Sequence, residues 1–445
     1  MSTKIYDLIG ANTGLRFLDP LSGNSFSVAD FEASYKVPGG KGLGFLYLDN
    51  SIGSVEVLLH FLRSDWSLCL LNPKLDEAEK QALEQAYCPG YIHDPARALK
   101  GLTGAAPYPI APEIKLLLST SGSTGSPKMV KLSERNIISN ALSILDYLPV
   151  KDTDTVPLNL PLFYSYGFSI FTTNAIAGGR ILCTCRDLIQ KEFWEDWQQY
   201  QCSSLAGVPY VYEMVQRFGL LPKMLPSLRY LTQAGGKLNP ALASQFAAQG
   251  KEHGIPFYIM YGQTEATARM SWLEPSALEH KAGAIGKPIK DGHFSIDPES
   301  SELLYSGPNV FGGYAENAGD LVRYEQPDVL HTGDIAVQDE EGDFYIQGRI
   351  KRFVKLFGLR INLDETESLL RGQFPGNSWL CAGDKDQFLY ALYEGKTVAE
   401  ADVRLWISSR LKVHPQAVKV QQLEAIPLNS NGKADYIKVM SFLAQ

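Results

Sequence analysis

The sequence of 445 residues predicts a layered α/β fold in two or three domains, and three observations support this prediction. Strand-like and helix-like segments alternate through most of the chain, which favours layers around a largely parallel sheet. From about Leu303, short strand-like pieces broken by glycine indicate an antiparallel, barrel-like part. The residues after Arg349 are typical of a compact α+β unit. We therefore expect a large N-terminal domain over 1–350 and a small C-terminal α+β domain over 351–445.

Each predicted element follows a local pattern of apolar residues and end signals. Ser133 is expected to cap a helix that begins at Glu134, and Gly250 is expected to end another. The predicted strands of the large domain are 115–119, 179–184, 228–233 and 255–262, and its predicted helices are 134–147, 188–200 and 240–250. The small domain is predicted to contain helices at 364–371 and 398–411 and strands near 378–382 and 388–394.

The net charge, the hydropathy and the cysteines of the sequence argue against several functional classes. Asp and Glu (49) outnumber Lys and Arg (41), giving a net charge of −8, which argues against broad attraction to nucleic acid or anionic lipid. No stretch approaches the roughly 20 apolar residues of a membrane span, and the first residues lack a signal peptide's apolar region.

Cys183 and Cys185 are the only close pair among six cysteines. We expect both to share one face of a strand and to pack there, without further metal ligands nearby, in a reduced cytoplasmic setting.

The most informative stretch is the loop S-T-S-G-S-T-G-S-P-K at 119–128. It follows the apolar strand predicted at 115–119 and precedes another apolar piece and a capped helix. Glycine lets backbone N–H groups approach an anion, hydroxyls add donors and lysine adds a charge, so the loop is suited to cradle phosphates. It lacks the Walker A spacing, which disfavours an ATP hydrolase of that unrelated fold.

This loop resembles the phosphate loop of the adenylate-forming enzymes, the family of acyl- and aryl-CoA synthetases, firefly luciferase and nonribosomal adenylation domains. Further motifs follow in the family's order: AGGKL at 234–238, YGQTE at 261–265, SGPNVFGGY at 306–314 and HTGD at 331–334. The resemblance extends from about Lys115 to the C-terminus. It implies ATP, Mg²⁺ and a carboxylic acid as ligands.

The resemblance assigns roles to individual residues. Tyr261 is expected to stack on adenine, Thr264 to approach the phosphates as a catalytic group, Glu265 to bind Mg²⁺ and Asp334 to bind the ribose. The other expected nucleotide-binding residues are Thr120, Ser121, Gly122, Ser123, Thr124, Gly125, Lys128, Gly235, Gly262, Gln263, Arg349 and Lys433.

The C-terminal part carries a hinge motif and a catalytic motif. The segment GRIKRFVKLFGLRINLDETE at 348–367 resembles the family hinge, with Lys351 at the pivot and Gly358 beside a thiol tunnel. Lys355 matches a catalytic lysine that enters the site only after the mobile C-terminal domain has rotated. PLNSNGKADY at 427–436 resembles the motif of the adenylating lysine, here Lys433.

These roles imply an ATP-dependent acid–thiol ligase. A carboxylate is a poor nucleophile and the α-phosphate is anionic, so catalysis requires positioning and charge neutralisation. The expected product is an acyl-AMP, which a thiol then attacks. The thiol is coenzyme A or the phosphopantetheine of a carrier protein on a separate chain. Only about 114 residues precede the strand of the phosphate loop, which predicts a shortened N-terminal region and keeps the carrier protein open as acceptor.

The segment PLFYSYGFSIF at 161–171 departs from the family, which usually has histidine where Tyr164 stands. Tyrosine does not titrate near neutrality, so a proton-handling role at this position is in doubt. No aspartate is found between Pro161 and Gly179, which favours an acid without an α-amino group. The acid, aromatic or aliphatic, is expected to contact Tyr164, Tyr166, Gly207, Val208, Gln233 and Gly235.

Two other functions remain open at this point. One is an ATP- or AMP-binding relative that has lost catalysis and acts as a scaffold or sensor. The other is a stand-alone amino-acid-adenylating enzyme. The charged residues Lys128, Glu265, Asp334, Arg349 and Lys433 are all retained, which disfavours the first of these.

Overall fold

The computed structural model describes residues 4–32, 37–104, 108–119, 128–350, 352–356, 359–384, 387–428, 434–436 and 438–439. They form two compact units. The first contains the described residues up to His293 together with Tyr305–Leu330. The second contains Phe294–Leu304 and the described residues from His331 onward.

The helices and strands alternate through the first unit, as predicted. The elements of both units are numbered together here, in chain order. The helices are α1 Ile5–Gly10, α2 Val28–Glu32, α3 Ile52–Arg63, α4 Glu77–Tyr87, α5 Glu134–Tyr147, α6 Ser165–Ala177, α7 Lys191–Tyr200, α8 Pro209–Arg217, α9 Leu221–Met224, α10 Pro240–Glu252, α11 Leu363–Gln373 and α12 Glu400–Leu411. The strands up to residue 157 are β1 Arg16–Leu18, β2 Ser25–Phe26, β3 Leu43–Tyr47, β4 Ser67–Leu71, β5 Tyr91–Asp94, β6 Leu99–Leu102, β7 Leu116–Ser119, β8 Met129–Leu132 and β9 Thr155–Pro157. They continue with β10 Arg180–Leu182, β11 Ser204–Gly207, β12 Tyr230–Gln233, β13 Phe257–Tyr261, β14 Ser271–Leu273, β15 Lys287–Pro288, β16 His293–Ile296, β17 Glu302–Ser306 and β18 Tyr314–Ala315. The last are β19 Leu330–Gln338, β20 Phe344–Arg349, β21 Phe353–Leu356, β22 Leu359–Asn362, β23 Asn377–Asp384, β24 Phe388–Gly395 and β25 Val418–Gln422.

The largest sheet of the first unit has the strand order β18-β8-β7-β4-β3-β5-β6. Its centre is parallel, from β7 through β4 and β3 to β5, and antiparallel strands flank it on both sides. The central strands are continuous apolar runs that are buried on both faces, as parallel strands covered by helices require. The prediction of a layered α/β fold is confirmed.

A second sheet of this unit, in the order β11-β12-β13-β14-β15, determines where the site residues lie. Strands β11, β12 and β13 are parallel, and Gly207 pairs with Gln233 in register. Their carboxyl ends therefore meet at one edge of the sheet, which is where ligands bind in open α/β folds. The predicted site residues Gly207, Gln233 and Tyr261 are the last residues of these three strands.

Several predicted boundaries are confirmed, and others are wrong by a few residues. Helix α5 has the predicted bounds, and the Ser133 hydroxyl accepts a hydrogen bond from the Asn136 N–H at 3.1 Å. Helix α10 continues two residues past Gly250, and the glycine with the left-handed backbone that follows the helix is Gly254, with φ +68°. The predicted shared strand face of Cys183 and Cys185 is wrong, since β10 ends at Leu182 and only Cys183 is buried.

The first unit contains a buried ion pair. Lys80 Nζ lies 2.7 Å from Asp94 Oδ2, and both side chains are almost fully buried. Arg97 Nε also donates to Asp94 Oδ2 at 2.6 Å. Burial alone would raise the pKa of the Asp94 carboxyl, but the hydrogen bonds from Lys80 and Arg97 hold that pKa below its usual range.

The second unit combines helices with antiparallel and parallel strands, which is the α+β type of structure that the sequence predicts. It contains the hairpin β21–β22 and the sheet β23-β24-β25, with α11 and α12 packed on it. Its core is rich in aromatic and branched side chains, among them Trp379, Tyr393, Leu389 and Val403. Among the residues described, every helix is too short or too polar to cross a bilayer.

Candidate active site

The YGQTE segment begins at the end of β13 and turns sharply. A short 3-10 helix spans Thr264–Ala266. A Cβ at position 262 would overlap the carbonyl oxygen of Ala268, so this close approach of two backbone segments requires glycine at Gly262. The Gln263 carbonyl accepts hydrogen bonds from the N–H groups of Ala266 and Ala268 at 3.0 and 3.2 Å. The turn therefore holds Thr264 and Glu265 at the open edge of the sheet.

Thr264 connects this segment with the start of α6. Its Oγ1 lies 3.1 Å from the Ser165 Oγ, between the two positions Tyr164 and Tyr166 that the sequence assigns to the acid. Thr264 and Tyr261 are both partly exposed, which leaves them accessible to a ligand. The structure thus brings a predicted phosphate-binding residue beside the predicted acid-binding segment.

Glu265 is positioned by the FGGY segment. The Tyr314 hydroxyl donates to Glu265 Oε1 at 2.9 Å, and the Phe311 N–H donates to the Glu265 carbonyl at 2.8 Å. Lys128 Nζ lies 5.7 Å from the centre of the Tyr314 ring and 2.9 Å from Glu316 Oε1. Burial and the neighbouring Glu265 raise the pKa of Tyr314, so its hydroxyl remains a donor.

These contacts fit a magnesium site completed by a nucleotide. Mg²⁺ is usually held by one or two carboxylates together with substrate phosphates. Only Oε1 of the Glu265 carboxylate accepts the Tyr314 hydrogen bond, and the residue is partly exposed. Within the described ranges, no cluster of three or more His, Cys, Asp or Glu residues could hold a metal ion by itself.

The predicted acid-binding residues converge around Tyr164. Gly235 has φ +82°, and a Cβ there would overlap the Tyr164 hydroxyl and lie 3.2 Å from Val208 Cγ1. The Tyr164 and Tyr166 rings meet edge to face with centroids 6.3 Å apart. Burial raises the pKa of Tyr164 to about 12. The residue in the usual histidine position is therefore a neutral hydroxyl at physiological pH.

Tyr166 and Gln233 are buried and hydrogen-bonded. The Tyr166 hydroxyl lies 3.0 Å from Thr232 Oγ1. The Gln233 amide donates to the Gly236 carbonyl at 2.9 Å. Gly207 ends β11 against Tyr212, where a Cβ would lie 2.7 Å from the ring. The predicted acid-binding residues thus lie around the ends of neighbouring strands.

Two further predicted residues pair within the second unit. Asp334 on β19 lies opposite Arg349 on β20, and Arg349 Nε lies 3.0 Å from Asp334 Oδ1. The Asp334 side chain is buried, whereas that of Arg349 is 61% exposed. Glu302 accepts hydrogen bonds from the Gly333 N–H and pairs with the His331 ring, each at 2.8 Å, which fixes the HTGD turn.

The remaining predicted residues are not described. Thr120, Ser121, Gly122, Ser123, Thr124, Gly125, Lys351, Gly358 and Lys433 lie outside the described residues. The backbone of Lys355 belongs to β21, where it pairs with Arg360. The roles of all these residues stay predictions.

Arg269 lies outside the family motifs of the sequence and was not among the predicted site residues. It follows YGQTE by four residues, and its side chain is buried, with only 2% exposed. Its guanidinium carbon lies 4.0 Å from the centre of the Tyr166 ring. The available signal was an arginine between apolar residues in the segment ARMSW.

The α/β fold and the segments around Tyr314 and Tyr164 can be compared with those of known proteins. The model of the family described as AMP-binding enzyme matches residues 54–315, more than half of the chain. The chain therefore belongs to the AMP-binding enzymes, and the resemblance stated from its motifs is confirmed.

Named relatives and a solved structure agree with this family. The chain is 26% identical over 338 residues to an oxalate–CoA ligase of Arabidopsis thaliana, covering 72% of this chain and 65% of the relative. It is 25% identical over 355 residues to an indoleacetate–CoA ligase of Aromatoleum aromaticum, covering 76% and 69%. The aligned parts thus span about two thirds of the relatives' lengths. The o-succinylbenzoate CoA synthetase of Bacillus subtilis, solved with ATP and a magnesium ion, shares the fold with a TM-score of 0.76, 21% identity and 98% coverage of both chains.

Proposed function

We propose that this protein is an ATP-dependent acid–thiol ligase. It activates a carboxylic acid as acyl-AMP, releases pyrophosphate and transfers the acyl group to a thiol. The observation that carries the proposal is the Thr264–Ser165 contact of 3.1 Å, because Thr264 belongs to the predicted phosphate-binding turn and Ser165 to the predicted acid-binding segment. Membership in the AMP-binding family and the CoA ligases among its relatives support it further.

In the first step, a carboxylate oxygen of the acid attacks the α-phosphorus of ATP. The bond from that phosphorus to the oxygen bridging the α- and β-phosphates breaks, and pyrophosphate leaves with both bonding electrons. Lys433 neutralises the approaching carboxylate and the α-phosphate, and Lys128 together with the loop 119–128 stabilises the leaving group. Thr264 donates a hydrogen bond to the phosphates. Mg²⁺ bound at Glu265 supplies charge neutralisation when present.

The nucleoside part is held by other residues. Tyr261 stacks on adenine, with Gly235, Gly262 and Gln263 beside it. The Asp334 carboxylate accepts hydrogen bonds from the ribose hydroxyls, and Arg349 contacts the ribose or a phosphate. Each of these roles follows the family motif that contains the residue.

In the second step, a thiolate attacks the acyl carbon of the mixed anhydride and AMP leaves. Coenzyme A is the favoured thiol because the named relatives are CoA ligases. The small domain over 351–445 turns about Lys351 between the steps, which removes Lys433 and brings in Lys355. Gly358 then lies beside the thiol. A carrier protein is the second acceptor to be tested.

The decisive experiment is acid-dependent exchange of pyrophosphate into ATP. The panel contains benzoates, cinnamates, fatty acids, dicarboxylic acids and amino acids, and Lys433→Ala is the test variant. We expect exchange with one acid class, loss of exchange in Lys433→Ala, and unchanged ATP binding. Lys396→Ala, which removes an exposed lysine of the same domain, is the matched control and should retain activity.

Three other outcomes would favour a different function or contradict the role of Lys433. Exchange with amino acids alone would identify an amino-acid-adenylating enzyme. Tight ATP binding without exchange for any acid would favour a scaffold or sensor. Equal loss of ATP binding and exchange in Lys433→Ala would contradict the catalytic assignment of that lysine. Product analysis with coenzyme A and with a phosphopantetheinylated carrier protein then identifies the acceptor.

A further inference from the structure

The backbone at Arg269 is fixed by its neighbours. Thr267 and Ala268 both have positive φ, +54° and +92°, which is strained for residues with a side chain. The Arg269 carbonyl accepts hydrogen bonds from the side-chain amides of Asn140 at 2.8 Å and Asn309 at 2.9 Å. The strained turn thus directs the chain so that an arginine enters the interior.

The guanidinium of Arg269 lies among neutral groups. It stacks on Tyr166 at 4.0 Å, and its Nε donates to the Met260 sulfur at 3.3 Å. Tyr147 and Tyr164 also face it, and burial raises the pKa of both phenols, so neither supplies a negative charge. Over the described ranges, no carboxylate forms an ion pair with Arg269. A buried cation without a counter-charge is destabilising.

A small cavity lies beside this guanidinium. Arg269 lines it together with the polar side chains Ser169 and Thr173 of α6 and Thr232 of β12, and most of the remaining lining is apolar, including Ile144, Leu148 and Val156. The Thr173 Oγ1 is buried, and the described residues offer it no hydrogen-bond partner. The cavity has a volume of about 20 Å³, enough for roughly one water molecule or the terminal oxygens of a ligand. Within this small space it presents a cation and an unpaired hydroxyl, which together suit the end of an anionic group.

The cavity adjoins the predicted acid pocket through two residues. Thr232 lines the cavity, and its hydroxyl lies 3.0 Å from that of Tyr166. Tyr166 in turn contacts the ring of Tyr164, which belongs to the predicted acid pocket. A group extending from the acid pocket past Tyr166 would therefore approach Arg269.

We propose that the acid substrate carries a second carboxylate and that Arg269 binds it, with a hydrogen bond from Thr173. This inference rests on the proposed adenylation of an acid and adds its class, a dicarboxylic acid. The planar guanidinium can donate two parallel hydrogen bonds to a carboxylate, and the low polarity around Tyr166 strengthens that pair. The substrate supplies the counter-charge that the protein lacks at this position.

The test compares dicarboxylic acids with their monomethyl esters in pyrophosphate exchange. The pairs are succinate, adipate and phthalate against the half-esters, which retain one carboxylate for adenylation and lose the second charge. For the preferred skeleton, we expect kcat/KM for the diacid to exceed that for its half-ester by about 30-fold or more. Equal rates for both partners of every pair, or exchange only with monocarboxylic acids, would overturn the inference and leave the proposed ligase intact.

Variants test the residue itself. Arg269→Met should lower kcat/KM for the diacid by about 30-fold or more and that for the half-ester by much less. Thr173→Val should reduce the diacid preference by about fivefold, the effect of one hydrogen bond. Arg217→Met removes an exposed arginine of α8 and is the matched control. Equal losses for diacid and half-ester in Arg269→Met would show a merely structural role.

A binding measurement separates this inference from the proposed function. Thermal unfolding of the wild type is recorded with each diacid and each half-ester in the absence of ATP. Stabilisation by a diacid alone, lost in Arg269→Lys because lysine cannot make the bidentate pair, would support the inference even if no acid were exchanged. Without any exchange and without diacid-specific stabilisation, both the ligase and the dicarboxylate class would be rejected. Unfolding temperatures of the unliganded variants show whether each variant is folded.

Discussion

The Tyr314 hydroxyl donates a hydrogen bond to the Glu265 carboxylate at 2.9 Å, which joins two motifs 49 residues apart. Tyr314 belongs to β18 at the edge of the largest sheet, and Glu265 belongs to the turn after β13. The same tyrosine ring faces the ammonium of Lys128 at 5.7 Å. One aromatic side chain thus links the predicted magnesium ligand with the lysine that ends the predicted phosphate loop.

Tyr314→Phe is expected to weaken the response to Mg²⁺. Without the hydroxyl, Glu265 is less well oriented, and loss of such a supporting hydrogen bond typically costs about 10- to 100-fold in metal affinity or activity. Titration of pyrophosphate exchange with Mg²⁺ should give a higher midpoint. Tyr6→Phe removes a similar tyrosine–glutamate hydrogen bond, to Glu32 at 2.8 Å in the N-terminal helices, and should not change that midpoint. An unchanged midpoint in Tyr314→Phe would separate Glu265 from metal binding.

Asp334→Ala is expected to raise the KM for ATP by about tenfold, the usual effect of losing charge-assisted hydrogen bonds to a ligand. Because Arg349 is 61% exposed, water can solvate it after the substitution, and the change in stability should be small. The measurement is pyrophosphate exchange with ATP and with 2′,3′-dideoxy-ATP. The variant and the wild type should use the dideoxy nucleotide equally well. A similar loss with both nucleotides would argue against ribose binding by Asp334.

Lys351→Pro is expected to impair rotation of the small domain, because proline fixes φ at the predicted pivot. Thioester formation should slow more than adenylation. Single-turnover measurements of the two half-reactions, each started with preformed substrates, provide the comparison. Equal slowing of both half-reactions would contradict the hinge assignment.

Asp94→Asn is expected to destabilise the protein by about 3–5 kcal/mol at neutral pH, because Lys80 would remain buried without its counter-charge. The pKa of Asp94 is lowered in the folded state, so its contribution is present above the unfolded pKa of about 3.9 and is lost as the pH falls through the folded pKa. Urea unfolding from pH 7 to pH 3 should show the difference from wild type narrowing below about pH 4. Asp65→Asn breaks the exposed Lys4–Asp65 pair and should cost less than about 1 kcal/mol at every pH.

Local signals predicted helix α5 fully. Ser133 caps the helix, an amphipathic pattern runs through it and the bounds agree at both ends. Helix α7 begins at Lys191, three residues later than predicted, because Leu188 lies in the turn before it and its carbonyl accepts a hydrogen bond from Trp194 at 2.8 Å. The residue at which such a helix begins depends on a specific tertiary contact. The local pattern of apolar and polar residues does not specify that contact.

Motifs predicted the residues around Thr264 and Tyr164 because each motif is local in sequence. The partners Tyr314 for Glu265 and Ser165 for Thr264 depend on how distant segments meet, and no spacing rule supplies them. Arg269 was missed for the same reason. An arginine is usually exposed, and its burial against Tyr166 becomes visible only when α6 is packed on the sheet.

Gly235 and Tyr164 differ in their tolerance of mutation. Any side chain at position 235 would collide with the Tyr164 hydroxyl, and its φ of +82° penalises every residue except glycine. The backbone penalty remains even when residue 164 is small, so glycine is required at position 235 for two independent reasons. Replacement of Tyr164 by a smaller residue meets neither obstacle, so among homologues we expect sequence variation at this contact to be found at position 164 and not at position 235.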